Sequence, residues 1–510
     1  MTVPPVVLDG RSLTLDDLDA VCLHGARVDV APHARVAVDA SRAAIEAILA
    51  AGETVYGVNT GFGHLAHVRV GPADLARLQQ NLLRSHAVGV GGPFGPETTR
   101  AIMLLRANVL AAGHSGVRAV VLDTLLALLN EGIDPWLPRQ GSVGASGDLA
   151  PLAHLALVLI GEGFVRGSDG ARAPAGPALE AAGITPIALA AKEGLALING
   201  TQAMTGLGAL VVNRCERLAR SADIVGALSV EAQLGSHTPF DARLHALRPH
   251  PGQIASATLL RRLLHGGGVA GSHEDCEKVQ DAYSFRCMPQ VHGAARDAIA
   301  QAAAVLGREI NSVTDNPTVF ADTGEVLSGG NFHGQPVAMV LDYLALGAGE
   351  IGSISERRIE QLVNPKLSGL PPFLVAEPGL NSGFMMAQVT AAALVSESKL
   401  LCHPASSDSI PTSANQEDHV SMGPIAARKG FRILENSEQI LGIELLVACQ
   451  AIDMHAPLRP SAALCAVHDE VRAHVPYLDA DRVLHPELEE AARLIRSGVL
   501  LDVALPLLAD

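Results

Sequence analysis

Basic charge is in short supply in this chain: 37 Lys and Arg stand against 53 Asp and Glu over 510 residues, a net charge of −16. That balance argues against nucleic acid or an anionic membrane as a partner, because polyphosphate surfaces are met by clustered Lys and Arg. Cysteine is sparse as well. The 7 cysteines (Cys22, Cys215, Cys276, Cys287, Cys402, Cys449, Cys465) are scattered, odd in number and without CxxC spacing. This excludes a disulfide framework and a cysteine zinc site, and it favours a reducing compartment. No basic start or long apolar core marks the first residues as a signal peptide. No run approaches the roughly 18 uninterrupted apolar residues expected of a spanning helix. A protein of the cytoplasm, with no membrane partner, is the expectation. There is no low-complexity stretch, no fixed-period repeat and no basic arm.

What is present is a weakly charged, Ala- and Leu-rich chain long enough for several domains and a large core. Ser12–Leu23 and Ser41–Ala51 read as helices with acidic or Ser/Thr starts. Ala73–His86 places Leu75, Leu78, Leu82 and His86 near one face. Residues Thr98–Asn130, Leu149–Ile160, Lys192–Leu218, Gln388–Cys402 and a stretch reaching about Ala451 continue the helical pattern, and another helix runs to about Leu362. Strand-like alternation is short and local. The fold class is mainly α. Long helices that are apolar on most faces must bury more than one of them, which points to a bundle continued into an oligomer.

Glycine-rich polar loops interrupt these helices. Tyr56-Gly57-Val58-Asn59-Thr60-Gly61-Phe62-Gly63 is too rich in glycine for either regular element, and it lacks the Gly-Lys-Ser/Thr ending of a phosphate loop. Asn199-Gly200-Thr201 falls inside a helical pattern, where it is poor for stability. Gln280-Asp281-Ala282-Tyr283-Ser284-Phe285-Arg286 places Tyr283 and Arg286 on one face if its centre is a helical turn. Ser328-Gly329-Gly330-Asn331-Phe332-His333 and Thr412–Val420, which carries Glu417, are further polar loops. His273-Glu274-Asp275-Cys276 lacks metal-ligand spacing, and no metal is expected.

The stretch Gly141-Ser142-Val143-Gly144-Ala145-Ser146-Gly147-Asp148-Leu149-Ala150-Pro151 concentrates the chemistry. Taken alone it is a glycine turn before a helix that Ser146 or Asp148 can cap, with Pro151 in the first turn. A second reading is chemical. Gly147 lacks a Cβ, so its amide nitrogen can approach the Ala145 carbonyl with little hindrance. Attack there, with loss of water from the ring and of the Ser146 hydroxyl as water, leaves a five-membered ring bearing an exocyclic methylene. That methylene is an electrophile no ordinary side chain supplies.

GSVGASGDLAPL resembles the signature of the histidine, phenylalanine and tyrosine ammonia-lyases, and similar motifs run from about Tyr56 to Met422. The resemblance implies that Ala145, Ser146 and Gly147 become the methylidene-imidazolone (MIO) group, with no external cofactor. It implies a smaller N-terminal domain carrying that turn, here residues 1–200. A long-helix bundle like that of the ammonia-lyases and fumarases follows over 201–510. It also implies a homotetramer whose active sites mix loops from three subunits. In a similar YGxNTGFG run the tyrosine is the catalytic base, which Tyr56 matches. Tyr283 is expected among the catalytic groups, and Arg286 offers a bidentate fork for a substrate carboxylate. Asn199, Gln280 and Tyr283 orient that carboxylate or the ring carbonyl, and Phe332 walls the pocket.

Substrate choice rests on His86 and Glu417. Family members acting on phenylalanine carry Phe-Leu where this chain has Ser85-His86, and those acting on tyrosine carry His-Leu. At the position of Glu417 such enzymes have an amide. A carboxylate facing a benzene ring would be left unpaired, whereas an imidazole offers an N–H donor and a ring-nitrogen acceptor. The expected reaction is deamination of L-histidine to trans-urocanate and ammonia. The alternatives are a tyrosine or phenylalanine ammonia-lyase, or an aminomutase that returns ammonia to Cβ. A catalytically dead scaffold would have a broken Ala-Ser-Gly turn or a lost Tyr56, and both are intact.

Overall fold

The computed structural model describes residues 3–273 and 279–508. Among them are twenty α-helices and four two-stranded sheets, so the chain is mainly α. Local chemistry sets the helix ends. Thr14 and Asp17 close a capping box at Leu15–Cys22, each side chain accepting the other's backbone N–H at 3.0 Å. Pro32 opens the next helix, Pro32–Ala51, and Gly52 ends it at φ 70°. This helix was expected to begin at Ser41. Ser41 is instead buried inside it, its hydroxyl donating to Val38 O at 2.9 Å.

The 98–130 pattern is two helices, Pro96–Ala111 and Ala119–Asn130, rather than one. Gly113 and Gly116 separate them, both at positive φ, and a Cβ at Gly113 would lie 2.5 Å from that of Ala37. The break expected at Asn199-Gly200-Thr201 is present between Glu193–Ile198 and Gln202–Ala232.

Contacts divide the chain into two units. The first comprises Met1–Leu210, Ala303–Leu341 and Pro404–Arg428, so it takes in two later stretches besides the expected residues 1–200. In it the Leu75–His86 helix packs on Leu149–Leu159 and Glu193–Ile198. Two short ladders aim its loops. Val90–Pro93 pairs with Pro138–Gln140, which runs directly into the Gly141–Asp148 turn. Thr318–Phe320 pairs with Glu325–Leu327, which runs into the loop carrying Phe332.

The second unit comprises Val211–Ala302, Asp342–His403 and Lys429–Asp510. Its core holds charge as well as apolar side chains. Asp223 accepts from Ser256 Oγ and pairs with His292 and Arg296, and Arg358 forks onto Glu444. The helix Gln335–Val363 is long and apolar enough to cross a membrane by length and composition, with mean hydropathy 1.4 over its best window. Since 61% of that window is buried within the protein, it behaves as a core helix.

Candidate active site

The Gly141–Asp148 turn is shaped by close approaches that only glycine tolerates. Gly144 and Gly147 lie at φ 70° and 73°. A Cβ on Gly144 would run into Ser421 Oγ, and one on Gly147 into the carbonyl of Gly200. Relieved of that atom, the turn lies along the Asn199-Gly200 break. Asp148 N donates to Gly200 O at 2.7 Å, and Asn199 Nδ2 donates to Ser146 O at 2.7 Å.

Asp148 stands at the start of the Leu149–Leu159 helix but does not cap it. Its Oδ2 accepts instead from Met204 N at 2.8 Å, in the first turn of Gln202–Ala232, and its Oδ1 from Ser142 Oγ at 3.3 Å. The carboxyl is fully buried. Burial pushes its pKa up to about 7, against the opposing pull of these hydrogen bonds.

Ser146 opens onto a cavity of about 720 Å³ whose lining lies wholly in the first unit. Its size suits a small organic substrate. The cavity brings together Tyr56, His86, Ala145, Ser146, Asn199, Phe332 and Glu417. Gly147 lies next in the chain but does not line it. The Tyr56 hydroxyl accepts from Gly63 N at 3.4 Å. Ser146 Oγ donates to Glu417 Oε1 at 3.2 Å, while Thr412 Oγ1 donates to Oε2 at 2.8 Å. Ser413, Ala414 and Asn415, the turn before Glu417, all sit at positive φ. Backbone strain of this kind is held in place only where surrounding structure over-determines it.

His86 ends its helix with Nδ1 2.9 Å from Leu82 O. A carbonyl can only accept, so Nδ1 carries the proton and Nε2 is the acceptor of the neutral ring. Burial pulls the His86 pKa down, opposed by the Leu82 hydrogen bond and the Glu417 charge.

Besides Gly147, three expected residues are not in this cavity. Gln280, Tyr283 and Arg286 belong to the second unit and do not line it. Tyr283 and Arg286 do share one face of a short helical turn, the guanidinium carbon 4.6 Å from the ring centre, and Tyr283 is 71% exposed. Sequence reasoning gave no role to several polar lining residues, among them Asn81, Asn316, His333 and His419. The His333 and His419 rings stack at 5.6 Å. Both histidines stand inside the polar loops that carry Phe332 and Glu417, and proximity to those residues was the signal available. Among the described residues no group of three or more His, Cys, Asp or Glu is placed to hold a metal ion. The run His273–Cys276 lies largely outside those residues.

The tripeptide fits internal cyclisation on three observations. Ser146 faces the cavity, its carbonyl is held by an amide donor, and the following residue has no Cβ where none would fit.

Comparison with known proteins agrees with this geometry. The pattern describing the aromatic amino acid lyase family matches residues 13–473. A curated relative, the histidine ammonia-lyase of Anaeromyxobacter sp. (strain K), is 58% identical over 503 residues, covering 97% of this chain and 99% of its own. The solved histidine ammonia-lyase of Trypanosoma cruzi superposes with a TM-score of 0.93 at 47% identity, covering 99% of this chain and 96% of that one. The solved tyrosine aminomutase of Streptomyces globisporus gives a TM-score of 0.94 at 41% identity, covering 99% of both chains.

Proposed function

The chain belongs to the aromatic amino acid lyase family, and from that premise we propose that it removes ammonia from L-histidine to give trans-urocanate. It is a carbon–nitrogen lyase. Ala145, Ser146 and Gly147 would hold its prosthetic group as the MIO ring, formed from the chain itself. That group supplies the electrophile that lets the amine leave as ammonia.

The protein's own residues do the rest. Tyr56, which lines the same cavity as Ser146, would take the Cβ proton. Asn199 holds the Ser146 carbonyl through its side-chain amide. Phe332 walls the cavity. The observation that carries the substrate assignment is Glu417, whose Oε1 lies 3.2 Å from Ser146 Oγ in a cavity shared with His86. A carboxylate at the reacting centre matches a ring N–H and is wasted on a benzene ring, at roughly 1–3 kcal/mol for an unpaired buried group.

Tyr283, Gln280 and Arg286 would reach this site from a neighbouring subunit, Arg286 forking the substrate carboxylate and Tyr283 acting beside it. The support is the exposure of Tyr283, together with exposed apolar side chains such as Met386, Val389 and Leu400 on the Met385–Leu401 helix. A homotetramer with shared sites is the assembly that follows, with no nucleic acid or membrane partner. Free cysteines fit a cytoplasmic enzyme.

The test is a side-by-side assay of L-histidine, L-tyrosine and L-phenylalanine that follows free ammonia and each unsaturated acid. The highest kcat/KM on L-histidine is expected. A higher value on either other amino acid overturns the substrate assignment. A β-amino acid as main product favours the aminomutase reading, which the Streptomyces globisporus relative keeps in view.

A further inference from the structure

Behind the Asn199-Gly200 turn lies a cluster of buried charge that the proposed chemistry has not used. Arg106, in the Pro96–Ala111 helix, is fully buried, and its Nη1 donates to Asn199 O at 2.7 Å. Its Nε and Nη2 have no hydrogen-bond partner among the described residues. Nearby, Lys192 pairs with Asp315 at 3.1 Å, both wholly buried. Lys192 adopts φ 72°, in the region few non-glycine residues enter. Arg106 feels the Asp315 charge, but that carboxylate is already matched by Lys192. One positive charge is therefore left over, in a place where an unpaired charge is costly. Burial accordingly draws the Arg106 pKa down to about 10.

We propose that Arg106 is a positioning residue for maturation of the Ala145-Ser146-Gly147 tripeptide, clamping the Asn199-Gly200 turn against Ser146 and Gly147. The inference rests on the reading that this tripeptide cyclises. The clamp is short and continuous: Arg106 holds Asn199 O, the Asn199 side chain holds Ser146 O, and Gly200 O holds Asp148 N. A Cβ on Gly200 would lie 3.1 Å from Arg106 Nη1, so the guanidinium also fixes the face of that glycine.

The balance of the reaction shows why a charge is needed there. The Gly147 nitrogen bonds to the Ala145 carbonyl carbon as its proton passes to the Ala145 oxygen, and the resulting hydroxyl departs with the Ser146 N–H proton as one water, leaving a C=N bond from that carbon to the Ser146 nitrogen. The Ser146 Cα proton and the Ser146 hydroxyl then leave as a second water, with no oxidant involved. As the Cα proton departs, its electron pair spreads onto the Ser146 carbonyl oxygen before it expels the hydroxyl. That oxygen is the one Asn199 donates to, and Arg106 stands behind Asn199 with the only positive charge of the cluster that Asp315 does not neutralise.

The test follows the mass of newly synthesised full-length chains over time for wild type, Arg106→Lys and Arg106→Met, with near-ultraviolet absorbance of the ring and melting temperature read in parallel. Arg106→Met leaves the neutral Lys192–Asp315 pair and removes two unpartnered donors, so its melting temperature should hold or rise. Loss of two waters should slow by on the order of ten-fold or more, the scale of one lost charge-assisted hydrogen bond. Arg106→Lys, which keeps the charge, should fall between. A folded Arg106→Met chain that matures at the wild-type rate overturns the proposal. So does one that melts lower and matures slowly only in proportion to its unfolded fraction, which would make Arg106 a structural residue. Wild-type chains that never lose two waters would instead overturn the ring-forming reading and, with it, the basis of this inference.

Discussion

Replacing Asp148 with Asn should stabilise the protein at neutral pH while impairing the site it supports. The carboxyl is fully buried, and burial carries its pKa from the ordinary 3.8 to about 7. At ~1.4 kcal/mol per pH unit, that gap makes the ionised form cost about 4 kcal/mol of folding stability. The sign follows from proton counts. Between pH 4 and pH 7 the folded state keeps a proton that the unfolded state has given up, so wild-type stability falls across that window and levels off above it. Asn keeps an acceptor for Met204 N and is uncharged at every pH. It gives up the charge-assisted strength of the bonds from Met204 and Ser142, together about 1–2 kcal/mol. The expected net gain above pH 7 is roughly 2–3 kcal/mol, or a few degrees in melting temperature.

The assay is thermal melting of Asp148→Asn and wild type from pH 5 to pH 8, read as the difference between them. That difference should grow with pH up to about 7 and then stay flat, as neutral-pH turnover and ring absorbance decline. A difference that does not change with pH would refute the reasoning, because it would mean Asp148 ionises in the folded protein as readily as in water.

Ser146→Ala should fold, melt close to wild type, lack the ring's near-ultraviolet absorbance and show no turnover, since alanine has no hydroxyl to lose. More than trace activity would contradict the assignment of Ser146. Tyr56→Phe should lower kcat by about 10²–10⁴-fold with a smaller change in KM, as expected for a proton-transfer group. A kcat within a few-fold of wild type would send the search for the base elsewhere in the cavity. Glu417→Gln and His86→Leu should each erode the preference for L-histidine over L-tyrosine and L-phenylalanine while leaving the melting temperature nearly unchanged. An unaltered ratio of kcat/KM values would remove both residues from substrate selection.

The residues most legible in the sequence were those whose chemistry sits in a short contiguous string. The Ala145-Ser146-Gly147 turn, the Tyr56 loop and the break at Asn199-Gly200 each declared themselves by glycine where a helix or strand does not want it, and the structure brings all three to one cavity wall. Helix boundaries were harder, because proline at the first position looks like an interruption until it is seen to be a start. Pro32 and Pro96 both open helices. Partners far apart in sequence were not legible at all. Nothing in the string around Asp148 announces that its carboxylate will accept from Met204 rather than cap its own helix. Arg106 was likewise indistinguishable, in the run Leu104-Leu105-Arg106-Ala107, from a cation at the edge of an apolar face.

These unread residues share a physical character. Asp148 is a buried carboxyl whose charge is opposed by its surroundings, Arg106 a buried cation with two idle donors, and Lys192 a buried cation on a left-handed backbone. Each is locally unfavourable, and all lie within three hydrogen bonds or ion pairs of the Ser146–Gly147 turn or the loop facing it. Lys192 holds Asp315, whose Oδ1 accepts from Asn316 N, and Asn316 in turn accepts from Gly329 N in the loop that bears Phe332. The apolar core elsewhere supplies enough stability to tolerate such groups, and strain of this kind collects where a site needs preorganised charge. Where the buried charge has no opposite partner, as at Asp148 and Arg106, neutralising it should make the protein more stable and less able to mature. Asp148→Asn and Arg106→Met test that pairing of effects independently, on opposite signs of charge.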